Sequence, residues 1–147
     1  MSATPSPGGA DTPSRFRDRP RVDADSAPAP GAEQSAEARR QQRLADLVGF
    51  AGEAAYLVGR TRAVYLGNTP EGAALRSAGQ MVIIKVATVV EKLPAEFKDR
   101  HPGIAWVDIT RMRNLVAHHY DKVDDPLIWA ALNHEIPKLL ADLGLVP

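Results

Sequence analysis

Apolar residues recur at three- and four-residue steps along most of this chain, the period of a helix with one buried face. From Ala36 onward, Leu44, Leu47, Val48, Ala51, Ala54, Ala55 and Val58 keep that step, which predicts a first helix over about 36–65. A turn follows at Gly67-Asn68-Thr69-Pro70. Thr69 suits an N-cap, Pro70 the first helical position and Glu71 the first turn, so a second helix starts there. It runs through Leu75, Met81, Ile84, Val86, Val89 and Val90 to about Leu93. The β-branched run from Val82 to Val90 has some strand propensity, but its length and lack of turn signals favour a helix. Pro94 and His101-Pro102-Gly103 punctuate the chain. A third helix is expected from about Ile104 to Tyr120. A fourth begins after Asp124-Asp125-Pro126 and carries Leu127, Ile128, Ala131, Leu132, Ile136, Leu139 and Leu140. Pro137 should kink or split it, since proline lacks an N–H and clashes one turn back. The expected fold is all-α, an antiparallel bundle of four main helices spanning residues 36–147.

Composition sets off residues 1–35 from that domain. Residues 1–32 hold six of the twelve prolines, and Phe16 and Val22 are almost their only bulky apolar side chains. Such a stretch buries too little to offset ordering entropy, so it reads as a disordered tail. Arg15, Arg17, Arg19 and Arg21 could contact RNA, but interspersed Asp favours a plain solvated tail. The 147 residues carry a formal net charge of zero. That argues against a general nucleic-acid coat, though not against one local basic cleft. No cysteine is present, which removes disulfides and thiolate metal sites. No unbroken apolar run approaches a membrane span and the N-terminus has no secretory core, so a cytoplasmic protein away from membranes is expected.

The densest candidate chemistry lies in Arg113-Asn114-Leu115-Val116-Ala117-His118-His119-Tyr120. Arginine offers a permanent cation with a fork matched to phosphate. Histidine exchanges a proton near neutral pH. Tyrosine brings a hydroxyl that can hydrogen-bond or be modified. At about 100° per residue from Arg113, Ile109, Met112, Leu115 and Val116 fall on a core-facing arc. Asn114 and His118 fall away from it, at about 100° and 140°, and Tyr120 returns close to Arg113. The small Ala117 and Thr110 lie between Arg113 and His118, giving a shallow trough that a phosphate could follow. The arc is wide, so a second subunit across this face could be needed to close the site.

The spacing Arg113-x4-His118-x-Tyr120 resembles the signature of the HepT-like toxins of the HEPN superfamily. The surroundings are similar too. His101-Pro102-Gly103-Ile104-Ala105-Trp106 looks like the family's entry to the motif helix, and Met112-Arg113-Asn114 like its core. Val123-Asp124, Ile128-Trp129 and Glu135-Ile136-Pro137 look like its closing helix, so the resemblance covers about residues 40–145. It implies a HEPN bundle that forms a homodimer, acting as a metal-independent endoribonuclease toxin on RNA, tRNA among the targets, without a cofactor. It also implies a partner, a nucleotidyltransferase antitoxin that transfers AMP from ATP to Tyr120. By the same resemblance, Arg113 and His118 would be catalytic, with Asn114 and Tyr120 supporting or contacting RNA. Two departures stand out: Ala87-Thr88-Val89 replaces a Gly-Glu-Ala that the family often carries, and Asp121-Lys122 replaces an aromatic and a glycine.

Other readings compete. A non-catalytic helical partner, or substrate-binding subunit, of a nucleotidyltransferase would keep the fold without cleaving RNA. A purely structural dimeric bundle is the third. His101, His118, His119 and His134 show no HxxxH or HExxH spacing, so no metal site is expected. Trp106 and Trp129 read as packing rather than base-stacking residues. Glu135 and Asp124-Asp125 read as helix-terminal charges.

Overall fold

In the computed structural model, residues 2–5, 8–9 and 29–145 are described. These form α1 (Pro30–Val58), α2 (Arg62–Tyr65), α3 (Pro70–Glu91), α4 (Ala95–Asp99) and α5 (Trp106–His118). A 3₁₀ turn at Tyr120–Lys122 leads into α6 (Asp125–Ala130), a π-helical turn (Ala131–Glu135) and α7 (Ile136–Asp142). No strand occurs among the described residues, and the all-helical bundle agrees with the sequence pattern.

The tail expected over residues 1–35 lies mostly outside the described residues, its four alternating arginines included. Its last six residues instead begin α1, with Pro30 in the first turn. Residues 30–39 are exposed on every side. Their helicity comes from good helix formers and local pairs, such as the Gln41 Nε2 donation to Glu37 at 2.8 Å.

The first expected helix is broken at Thr61, whose φ of 71° and ψ of 152° interrupt the helical path. That region is close to glycine-only, so the break is strained for a β-branched residue. Thr61 still caps α2 by accepting from the Val64 N–H at 3.4 Å. Thr69 caps α3 as its sequence suggests, accepting from Gly72 N–H at 3.0 Å. Asp124 does the same for α6 through Leu127 N–H at 3.2 Å.

α1 and α3 pair antiparallel: Arg43 donates to the Lys92 carbonyl near the end of α3, and Lys85, about two turns back, meets Glu53. The core lies between them and the C-terminal helices. It is built on Leu47 and Leu57, Tyr65, Val82, Val86 and Val90, Val116, Ile128, Trp129 and Leu132. Trp129 packs on the Tyr65 ring at 5.1 Å between centroids, in keeping with its reading as a packing residue. α3 has the length and apolar composition of a membrane-crossing helix. Here its apolar face, Val82, Ile83, Val86, Ala87 and Val90, is spent on the bundle core. Its outer face leaves Met81 half exposed.

Pro137 neither splits nor ends the last helix. The helix widens into the π turn just before it, where Ile136 N–H reaches the Ala131 carbonyl, five residues back. The wider turn accommodates the residue that cannot donate, as π bulges do.

Candidate functional site

α5 carries the site, and three things fix its pose. Val116 is buried in the core. Ile109 and Met112 pack against that core from the same face. At the entry, half-buried Trp106 donates its indole N–H to the Lys98 carbonyl at 3.2 Å. Leu115 sits at the far edge of the expected core arc and is 38% exposed, so the buried stripe is narrower than the sequence pattern suggests.

Arg113 lies beside that stripe with a quarter of its side chain exposed. Its guanidinium donates through Nη1 to Glu91 Oε2, through Nη2 to Glu91 Oε1 at 3.4 Å, and through Nη2 to Asn114 Oδ1 at 3.3 Å. Glu91 ends α3, so the fork is braced from a second helix and by its own neighbour. Sequence reading missed Glu91. The Ala87-Thr88-Val89 stretch suggested a site without its glutamate, yet a carboxylate arrives one turn later, at the end of the same helix. The signal was available in outline: Glu91 and Glu71 are the two acidic residues of α3.

His118 is exposed, and its imidazole makes no hydrogen bond among the described residues. It is the last helical residue. His119 leaves the helix at φ −134°, ψ 39°, and Tyr120 follows in the 3₁₀ turn, 75% exposed. Tyr120 is therefore not on the helix that was expected to carry it, and the face it was assigned beside Arg113 does not apply. A helix advancing about 100° per residue still separates Arg113 from His118 by about 140°, and Arg113 leans onto α3. A single chain thus presents a braced cation and a free imidazole that do not close on one point.

A cavity of about 430 Å³ lies elsewhere. Ile83, Val86, Ile109, Met112, Ala131 and Leu139 line it, and neither Arg113 nor His118 does. It lies on the core side of α5, away from His118. No three His, Asp or Glu side chains converge among the described residues.

Residues 66–144 match the family described as Ribonuclease HepT-like, a stretch running from the end of α2 through α7 and including Glu91, Arg113, Asn114, His118 and Tyr120. The chain belongs to the HepT-like ribonuclease family. It is 28% identical over 87 residues to "Putative RNase TTE0752" of Caldanaerobacter subterraneus subsp. tengcongensis, covering 59% of this chain and 78% of that protein. It is 31% identical over 64 residues to "Probable ribonuclease HepT" of Thermococcus cleftensis, covering 41% of this chain and 58% of that relative. A third relative, "Putative RNase MJ1380" of Methanocaldococcus jannaschii, is 26% identical over 51 residues, and the chain spans 47% of its length. No solved structure matches the chain. The family match leaves out α1, although Leu47, Ala54 and Leu57 of that helix complete the core.

Proposed function

We propose that this HepT-like protein is a metal-independent endoribonuclease, with tRNA a candidate substrate, and the toxin of a toxin–antitoxin pair. The observation that carries this is a braced Arg113 fork and an unencumbered, exposed His118 on one helix of a ribonuclease-family fold. His118 would take the proton of a ribose 2′-OH as its oxygen attacks the adjacent phosphorus. The P–O5′ bond breaks and the leaving oxygen takes a proton from water, giving a 2′,3′-cyclic phosphate and a 5′-hydroxyl, and His118 returns its proton to solvent. Arg113 would bind the phosphate and stabilise charge developing on it. Asn114 would orient the guanidinium it already contacts.

The divergence of Arg113 and His118 favours a homodimer in which each site draws on both copies. Tyr120, exposed beside the motif, would contact RNA or accept AMP from a nucleotidyltransferase antitoxin. That step joins the AMP phosphorus to the tyrosine oxygen and releases pyrophosphate from ATP. The added anion would repel RNA and engage Arg113. A cytoplasmic setting fits such a substrate and partner.

The test is RNA cleavage in EDTA by purified protein on total tRNA, beside Arg113→Ala and His118→Ala. Cleavage that both variants lose is expected. Intact RNA with native protein would overturn this reading and favour a non-catalytic partner subunit of the nucleotidyltransferase.

A further inference from the structure

We propose that Glu91 is a positioning residue: it holds the Arg113 guanidinium against α3 so that its remaining N–H donors meet the anion in a fixed direction. Only the kinetic part of this inference rests on the ribonuclease reading.

The location of Glu91 argues that it is not there for its own helix. It is the final residue of α3, where exposed carbonyls make a carboxylate locally unfavourable and a cation favourable. It is half exposed, so no burial rewards it. Its partner is Arg113, 22 residues further along the chain. A residue that breaks a local rule in favour of a distant contact at a candidate site points to function.

The bonding pattern shows what the contact does. Arginine has five N–H donors. Glu91 takes one from each Nη and Asn114 takes the second of Nη2, which leaves Nε–H and one Nη1 N–H, on opposite sides of the guanidinium, each free to meet an anion singly. An anion can therefore bind without displacing the carboxylate. Released from Glu91, the long side chain would sample many rotamers and present its fork in no preferred direction. The carboxylate also offsets the charge of Arg113, so the brace favours orientation over raw attraction for RNA.

The experiment compares native protein with Glu91→Ala and Glu91→Gln. Arg113 Nε–Hε is followed by NMR, assigned with Arg113→Lys, and cleavage kinetics are measured on the same samples. In native protein the Arg113 signal should be distinct and slow to exchange. In Glu91→Ala it should move to the averaged position of free arginine, and kcat should fall about tenfold with KM level or lower. Glu91→Gln keeps one carbonyl acceptor and should lie between. Melting temperatures close to native are expected, since an exposed ion pair adds little stability. An Arg113 signal indifferent to Glu91→Ala overturns the proposal, as does a raised KM at unchanged kcat. If native protein cleaves nothing while the signal responds as expected, the positioning stands and the ribonuclease reading alone falls.

Discussion

A guanidinium that donates to two different side chains is not replaceable by an ammonium of equal charge. Arg113 bonds both oxygens of Glu91 and the amide oxygen of Asn114. Lysine is a point charge on a flexible stem and can satisfy such a fork only in part. Arg113→Lys should therefore lose at least about tenfold in kcat/KM although the charge is kept, measured as cleavage of the substrate RNA. Tyr65 makes the opposite case, of a polar atom with nothing to hold. It is fully buried, and its hydroxyl has no hydrogen-bond partner among the described residues. Burial, helped by the Asp125 carboxylate, pushes its phenol up to about 12. An unfolded tyrosine titrates near 10, so the folded state binds the proton more tightly. That difference contributes stability fully below about pH 10 and is lost as pH rises from there through about 12. Tyr65→Phe should be at least as stable as native at pH 7, because it removes an unpaired buried hydroxyl. Its melting temperature should also fall less steeply than that of native protein between pH 9 and about 11.5. A variant with the native slope would show that Tyr65 does not titrate as its burial requires.

At the scale of elements, α3 and α2 meet at Gly79. A Cβ there would lie 2.3 Å from the Tyr65 hydroxyl oxygen and 2.9 Å from Leu132 Cδ1. Alanine gains about 1 kcal/mol over glycine in a helix interior, but overpacking a filled core costs about 1–3 kcal/mol. Gly79→Ala should therefore be net destabilising by about 1 kcal/mol in urea unfolding. Pairing it with Tyr65→Phe should recover part of the loss, since the closest clash is with the hydroxyl. Additive losses in the double variant would rule out this contact as the cause. These elements also mark how far the sequence could be read. The helices and the Thr69 and Asp124 caps were legible because they depend on local periodicity and on side chains three residues from their acceptors. The break at Thr61 was not, since a threonine at positive φ runs against its own backbone preference. The π turn before Pro137 was hidden for a related reason: proline reports the missing N–H but not how the preceding turn will absorb it. At the site, Arg113, Asn114, His118 and Tyr120 were legible as a motif. Glu91 was not legible, because only the fold brings residues 91 and 113 together. Nor was the departure of Tyr120 from α5, which follows from the non-helical backbone at His119.

For the whole molecule, a formal net charge of zero means that RNA affinity has to arise where cations are gathered rather than from the surface at large. One chain gathers few at the motif: Arg113 is already partnered by Glu91, and His118 lies around the helix from it. Two chains related by a two-fold axis would place the Arg113 of one opposite the His118 of the other, doubling the local groups without altering the fold. This arrangement has a consequence that a site within one chain does not share. Arg113→Ala and His118→Ala are each expected to be inactive alone. Mixed dimers of the two would contain one cleft with both residues intact and one with neither. Random re-pairing of equal amounts gives about half mixed dimers, so about a quarter of native activity should return. The subunits would be exchanged by brief mild denaturation and dilution, and cleavage of RNA compared with each variant treated separately. Recovery of activity would require that the two chains share a site. A mixture as inactive as its components, with mixed dimers verified by mass, would place Arg113 and His118 in the same chain's site and remove the structural argument for a composite cleft.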